Sequence, residues 1–293
     1  MFKVNVRGRF SKVAAATLAL IFGFAPQVAM AQEMVCGGKT DPCQIATGSY
    51  NVALPENWAG GPAVLHLHGF GGSGAKVIGN AGFTANITKR GYALIAPTGQ
   101  LFDEDKPNSR DWGVDDGTQY ARDDIRFINA VLEDAAARFG IDRDRVLISG
   151  FSRGGSMVWD LACKAPDTAR AYAAASGGFW APFPEKCAGP VKLFHTHGFK
   201  DKTVPLEGRR AVFGGVEYIQ SDIYQGLQLW RQTNGCGSRA TDHVIEGDIW
   251  RKKWGDCDPG AALEFALHSG GHGLPKGWSG MVLDWFEAFD AKP

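Results

Sequence analysis

The sequence has no excess of charge of either sign: 31 Lys and Arg residues face 31 Asp and Glu in 293 residues. Without a basic surplus to neutralise phosphates, a dedicated nucleic-acid binder is excluded. With 44% hydrophobic residues a packed core is available, so a disordered chain is excluded too. No apolar run beyond the N-terminus is long enough to cross a bilayer, and any membrane association would have to rest on the first residues. Repeats, low-complexity runs and a Pro/Ser-rich linker are missing, so 32–293 reads as one domain. No C-x-x-C occurs, which leaves a cysteine zinc site without its usual ligand spacing.

What is present begins with an export leader over residues 1–31. Lys3, Arg7, Arg9 and Lys12 form a basic head, Val13 to Phe24 an apolar stretch, and Ala29-Met30-Ala31 a small-residue cleavage site. Cleavage after Ala31 would remove four basic and no acidic side chains, leaving a mildly acidic, secreted or periplasmic product with no membrane attachment. All six cysteines (Cys36, Cys43, Cys163, Cys187, Cys236 and Cys257) lie beyond that point, and an even count in an exported chain favours disulfides. Six cysteines allow 15 pairings. Proximity in sequence suggests Cys36 with Cys43, Cys163 with Cys187, and Cys236 with Cys257.

Apolar runs alternate with helical patterns. Strands are predicted at Ser49 to Leu54, Ala63 to Leu67, Ala93 to Ala96, Val146 to Ser149, Ala171 to Ala175, Val191 to Thr196 and Leu263 to Leu267. Several are continuously apolar, as parallel strands buried on both faces are. Ile125, Ile128, Leu132, Ala135 and Phe139 share one helical face, and Gly140 follows as a stop. Further helices are predicted over Gly208 to Gln232 and Trp278 to Phe289. This order implies an α/β fold: a mostly parallel sheet with helices on both faces.

The chemistry concentrates at the ends of these strands. Val146-Leu147-Ile148-Ser149 runs into Gly150-Phe151-Ser152-Arg153-Gly154, a G-x-S-x-G between a strand and a helix that opens through Met157 and Leu161. In that context the serine is held out of the sheet on a tight turn, and the glycines permit the bend. A nucleophilic serine needs a base and a group to orient it. Asp201 follows the strand ending at Thr196, and His272 lies in a glycine-rich loop after Leu267, both at carboxyl ends of strands where ligand sites of open α/β sheets lie. His268 is the alternative base, but it sits closer to its strand. The turn His68-Gly69-Phe70-Gly71-Gly72 follows an early strand, and the backbone N–H groups of Phe70 and Arg153 are assigned as oxyanion donors.

On these motifs the chain resembles the α/β-hydrolase superfamily, within it the group of secreted polyhydroxybutyrate depolymerases and feruloyl or acetyl-xylan esterases. The matching stretches are Tyr50 to Pro55, His68-Gly69, Asp123-Asp124-Ile125, Gly140-Ile141-Asp142, Gly150 to Gly155, His197-Gly198 with Asp201 and Val204-Pro205, and Gly270-Gly271-His272. The resemblance implies Ser152 as nucleophile, Asp201 as acid and His272 as base, without a cofactor. The linker and separate polymer-binding domain usual in secreted polymer depolymerases are missing, which points away from insoluble polymer. No long apolar insertion could form a lipase lid. Trp112 and Trp180 fall in loops and Trp278 lies a few residues past His272, and the three are expected to shape the substrate site, whereas Trp159 and Trp230 fall on helical patterns and belong to the core.

His66-x-His68 and His195-x-His197 are potential zinc pairs, but the carboxylate that usually accompanies an H-x-H run is missing, so no metal is assigned. The expected function is hydrolysis of short hydroxyacid (3-hydroxybutyrate-type), aryl or sugar esters, with a small-molecule or oligomeric ester as partner. A peptidase on the same triad and a non-catalytic polymer- or carbohydrate-binding module are the rival readings.

Overall fold

The computed structural model describes residues 1–3, 36–213 and 215–289, and Val35–Pro293 forms one compact unit. Apart from its first three residues, the expected leader lies outside the described residues.

The described residues carry a ten-stranded sheet. At one edge β1 (Cys43–Ile45) and β2 (Gly48–Ala53) pair antiparallel. Next in sequence come β3 (Gly61–Leu67), the helices α1 (Gly74–Ile78) and α2 (Ala81–Thr88), and β4 (Ala93–Pro97). A small hairpin, β5 (Gln100–Leu101) and β6 (Arg110–Asp111), precedes α3 (Asp124–Phe139) and the long strand β7 (Ile141–Phe151). Then follow α4 (Arg153–Lys164), β8 (Ala171–Ala175) and β9 (Lys192–Gly198). The last third holds a hairpin of β10 (Arg209–Phe213) and β11 (Val216–Gln220), α5 (Ile223–Thr233), a second hairpin of β12 (Asp242–Glu246) and β13 (Ile249–Trp254), then β14 (Ala262–His268) and α6 (Trp278–Glu287).

Across the sheet the order is β1-β2-β4-β3-β7-β8-β9-β14-β13-β12. The six strands from β4 to β14 are parallel, and the two strands at either edge are antiparallel. Strand alternation divides their apolar runs between two cores. Leu65, Leu67, Ile148 and Leu193 face α3, α4 and α5, where Val131, Met157, Leu161 and Trp230 pack. Val64, Leu147 and Phe194 face α2 and α6, where Ile87, Val282 and Phe286 pack. Covering both faces is why these strands read as unbroken hydrophobic runs rather than alternating ones.

The helix expected over Gly208 to Gln232 is corrected. Its first part is the β10–β11 hairpin, with Arg209 opposite Gln220 and Phe213 opposite Val216, and only Ile223–Thr233 is helical. Gly208 adopts φ +71°, and a Cβ there would meet the Gln220 carbonyl at 2.6 Å, so the chain turns instead of winding. The helix starts at Asp222, whose carboxylate accepts the Gln225 N–H at 3.0 Å. The β12–β13 hairpin also lay outside the expected strands, although it turns at Gly247 with φ +61°. The three disulfides join Cys36 to Cys43, Cys163 to Cys187 and Cys236 to Cys257, the pairs that proximity suggests.

Candidate active site

Ser152 stands between β7 and α4 at φ 57° and ψ −122°, a strained conformation for a residue with a side chain. The turn is possible because its neighbours have no Cβ. One added to Gly150 would lie 2.3 Å from the Gly154 carbonyl, and one added to Gly154 would lie 2.0 Å from that of Leu67. The serine N–H donates to the Ala175 carbonyl at 2.9 Å, tying the turn to β8. Its own carbonyl accepts the Ser156 N–H at 2.9 Å and opens α4, whose first N–H groups, that of Arg153 included, precede any intrahelical acceptor.

Two loops on the far side of β8 meet the serine. His272, in the loop after β14, sits with Nε2 2.9 Å from Ser152 Oγ and Nδ1 2.8 Å from Asp201 Oδ2. Asp201 is buried in the loop after β9, and its Oδ1 accepts the Thr203 and Val204 N–H groups, each at 2.9 Å. Burial works against the carboxylate charge, but the His272 and Val204 N–H groups outweigh it and bring the Asp201 pKa below its ordinary value. Asp201 is therefore ionised and accepts the Nδ1 proton, leaving Nε2 free to accept from the serine hydroxyl.

Beneath Asp201 lies a chain of two fully buried imidazoles. His197 Nε2 is 2.7 Å from the Val204 carbonyl and must donate to it, so its Nδ1 accepts, and His195 Nε2–H donates to that Nδ1 at 3.0 Å. Burial lowers the pKa of both, and both are neutral. The other histidine pair is occupied as well. His66 Nδ1 meets Ser149 Oγ at 2.9 Å, and His68 uses Nδ1 on the Gly69 carbonyl at 2.7 Å and Nε2 on the Gly99 N–H at 2.9 Å. Among the described residues no three potential ligands converge on a metal position. His268 is buried at the end of β14, where its Nδ1 accepts the Gly270 N–H at 3.1 Å, within its own loop.

On the other side of β7, the turn after β3 comes against the serine: a Cβ on Gly69 would lie 3.3 Å from Ser152 Cβ. Phe70 is the next residue along that turn, and Arg153 follows the serine in the chain. His68 holds this turn through the Gly69 carbonyl. The Arg153 side chain does separate work below the turn. It donates to Asp111 at 2.8 Å, Asp116 at 3.0 Å and the Tyr120 hydroxyl at 2.7 Å, and these partners more than offset the burial that disfavours its charge. Nothing in the sequence pattern singled out Asp111, Asp116 or Tyr120.

The three tryptophans expected at the substrate site are buried. Trp112, Trp180 and Trp278 are 0%, 6% and 4% exposed. Their indole N–H groups donate inward to the His68 carbonyl, Ser156 Oγ and Thr196 Oγ1 at 2.7, 3.1 and 2.9 Å. All three are packed inward, Trp112 and Trp180 from loops and Trp278 from the start of α6, because an indole that finds both an acceptor and a core to cover is better buried than exposed. The aromatic rings that do reach solvent here are Phe70, Phe102 and Phe199, at 56%, 39% and 61% exposure.

A parallel sheet with helices on both faces, and a Ser-His-Asp arrangement assembled from the carboxyl ends of β7, β9 and β14, define an α/β-hydrolase. The chain belongs to the phospholipase/carboxylesterase family, which it matches over residues 55–213, and it is a carboxylic ester hydrolase. It is 30% identical over 180 residues to the putative esterase NocK of Nocardia uniformis subsp. tsuyamanensis, a match that covers 61% of this chain and 50% of that protein. To the probable feruloyl esterase C of Aspergillus niger it is 25% identical over 246 residues, 80% of each chain. The fold superposes on the acetyl xylan esterase from Aspergillus awamori with a TM-score of 0.57 at 14% identity, covering 81% of this chain and 93% of that one.

Proposed function

We propose that the protein is an exported serine esterase that cleaves short hydroxyacid (3-hydroxybutyrate-type), aryl or sugar esters through an acyl-enzyme. The observation that carries this reading is the unbroken contact from Ser152 Oγ through His272 to Asp201, at 2.9 and 2.8 Å. Ser152 Oγ attacks the ester carbonyl as His272 Nε2 takes its proton, and Asp201 stabilises the imidazolium that results. The Phe70 and Arg153 N–H groups receive the oxyanion, each such donor being worth about 3 kcal/mol of barrier. His272 returns the proton to the leaving alcohol, and water, activated by the same imidazole, releases the acid from Ser152.

The esterase names of the relatives favour an ester over a peptide bond. Three disulfides suit an oxidising compartment, in keeping with a leader over residues 1–31 and a start at Gln32. The test is a panel of 3-hydroxybutyrate oligomers, feruloyl esters, acetylated xylan and short p-nitrophenyl esters, run with and without a phosphonofluoridate-type serine reagent. Turnover of at least one class, abolished by stoichiometric labelling of Ser152, is expected. Activity that survives full labelling overturns the reading.

A further inference from the structure

Arg153 comes directly after Ser152, and its side chain, 11% exposed, is spent on the stretch of chain between β6 and α3. Its Nε donates to Asp111 Oδ1 at 2.8 Å, and Nη2 donates to the Tyr120 hydroxyl, Asp116 Oδ2 and the Trp112 carbonyl at 2.7, 3.0 and 3.2 Å. Two turns further along the same face of α4, Asp160 accepts the Asp115 N–H at 2.6 Å, and Lys164 Nζ lies 3.1 Å from the Asp115 carboxylate. The helix that begins at the serine therefore grips this stretch at several points.

The same stretch holds the turn after β3. The Gly71 N–H donates to the Arg110 carbonyl at 2.8 Å, and the Trp112 indole N–H donates to the His68 carbonyl at 2.7 Å. Three consecutive residues, Arg110, Asp111 and Trp112, thus touch both the turn that carries Gly69 and Phe70 and the residue that follows the nucleophile. The turn has other anchors, His68 Nε2 on the Gly99 N–H at 2.9 Å and Lys76 Nζ on the Gly71 carbonyl at 2.8 Å, but neither of these contacts reaches α4. The gap they leave to this segment is narrow. A Cβ on Gly69 would lie 3.3 Å from Ser152 Cβ, and one on Gly154 would lie 2.0 Å from the Leu67 carbonyl oxygen.

Stability alone does not account for this network. Met157, Val158, Trp159 and Leu161 already bury α4 completely, and a buried ion pair is often no more stabilising than apolar packing of the same volume. What a forked guanidinium adds is direction, because its planar donors fix the angle as well as the distance of their partners. We propose that the Arg153 side chain is a positioning residue: through Arg110-Asp111-Trp112 it sets the spacing between the Ser152 turn and the turn after β3, and with it the placement of the Phe70 and Arg153 N–H groups that receive the oxyanion. The inference rests on the serine-esterase reading and extends it to the support of those donors. Donors aimed at the oxyanion act on the transition state and not on the bound ester, so a slack brace lowers kcat and leaves KM.

The experiment cuts the brace at either end. Arg153→Met removes the grip on Asp111, and Trp112→Phe removes the N–H that reaches the His68 carbonyl; Arg153→Lys and Asp111→Asn are milder forms of the first cut. For each, and for the double variant Arg153→Met with Trp112→Phe, kcat and KM for p-nitrophenyl acetate are measured per serine titrated by a phosphonofluoridate, together with melting temperature and the affinity for an alkyl trifluoromethyl ketone. The ketone reports on the donors: Ser152 Oγ bonds to its carbonyl carbon, the hydroxyl proton passes to His272 Nε2, and the carbonyl π pair becomes the oxyanion. In Arg153→Met and Trp112→Phe, kcat is expected to fall at least about tenfold with KM within about threefold of wild type, and ketone affinity to fall in step with kcat/KM. Arg153→Lys is expected to lie between wild type and Arg153→Met. The double variant is expected within about threefold of the worse single one, because both cuts open one brace. Losses that multiply in the double variant, a kcat loss with ketone affinity unchanged, or wild-type kcat at a lowered melting temperature overturn the brace and leave the esterase reading standing. If Arg153→Met does not fold, Arg153→Lys and Asp111→Asn carry the same comparison with Trp112→Phe. A wild-type enzyme that turns over the ester but is inhibited by neither reagent overturns the serine-esterase reading and the brace with it.

Discussion

The two sides of Ser152 are built from different materials. On the β9 and β14 side the groups that meet the serine are polar side chains held by hydrogen bonds: His272 to Asp201, Asp201 to two backbone N–H groups, His197 to the Val204 carbonyl. On the β3 side the turn that packs against the serine and the β5–β6 loop carry rings open to water, Phe70 and Phe102. The contrast follows from what each side has to do. Proton transfer requires fixed tautomers and fixed distances, which burial and saturated hydrogen bonding provide. The exposed rings carry no such constraint, and they keep their apolar surface open to water.

Removal of the Ser152 hydroxyl, the nucleophile we propose, is the largest expected effect. Ser152→Ala is expected to lower kcat by at least about a thousandfold with the fold intact by circular dichroism, since the turn is held by the backbone and the glycines rather than by the hydroxyl. Near-wild-type turnover would end the serine mechanism. His272→Gln is expected to fall nearly as far with little change in melting temperature, whereas His268→Gln, at a buried position bonded only within its own loop, changes stability more than rate. A loss of turnover confined to His268→Gln would move the base from the loop to the strand end.

The division between sides sharpens at His197. His197→Leu leaves the Val204 carbonyl and the His195 N–H without partners, at about 1 to 3 kcal/mol for each buried group, measured by urea unfolding. It also loosens the turn that holds Asp201, so kcat is expected to drop about tenfold with KM nearly unchanged. A kcat loss as large as that of Ser152→Ala would show the buried imidazole to be part of the reaction and not of its support.

Acid should reveal the same burial by titration. His66 is pushed down to about 3 and His68 to about 4, both by burial first, from an ordinary value of 6.5. In the window between 6.5 and about 4 the unfolded chain binds these protons and the folded chain does not. Stability is therefore full above pH 6.5 and falls as pH drops, by about 1.4 kcal/mol per pH unit for each histidine. Asp160, pushed up to about 6 by burial, acts in the opposite sense below pH 6 and offsets about one of them. The net slope is still a loss, to which His195, His197 and His268, all lowered by burial, add. A flat urea midpoint between pH 7 and pH 5 would contradict the neutral, buried state of these imidazoles. The smallest expected signal is chemical: with all six cysteines paired, the native protein should show no thiol to alkylation before reduction.

The β-hairpin at Arg209–Gln220 shows where local pattern misleads. Val212, Val216 and Ile219 favour a strand, yet Ile219, Ile223, Leu227 and Trp230 also fit a helical stripe, and only the close approach of Gly208 to the Gln220 carbonyl breaks the tie. The burial of the tryptophans is a second case. It depends on whether an acceptor such as the His68 carbonyl lies within reach, and that acceptor is 44 residues away from Trp112 in sequence. Asp111, Asp116 and Tyr120 were silent for the same reason, since their partner is the Arg153 side chain and nothing local marks them.

What the sequence by itself determined is whatever is encoded over a few neighbouring residues. That includes the buried parallel strands, written as unbroken apolar runs, and the Gly150-Phe151-Ser152-Arg153-Gly154 turn, where backbone sterics allow no side chain on either flank. It includes the choice of Asp201 and His272 from loops at strand ends, because a parallel sheet gathers those ends on one edge. What only the tertiary structure decided is everything that depends on distance between remote segments. The 2.9 and 2.8 Å contacts of His272, the tautomers of His195 and His197, the inward turn of three tryptophans and the outward turn of Phe70 and Phe102 are examples. Periodicity and motif constrain dihedral angles and faces, whereas burial and hydrogen bonding are settled by which surfaces meet, and that is a property of the packed sheet and not of any one stretch of chain.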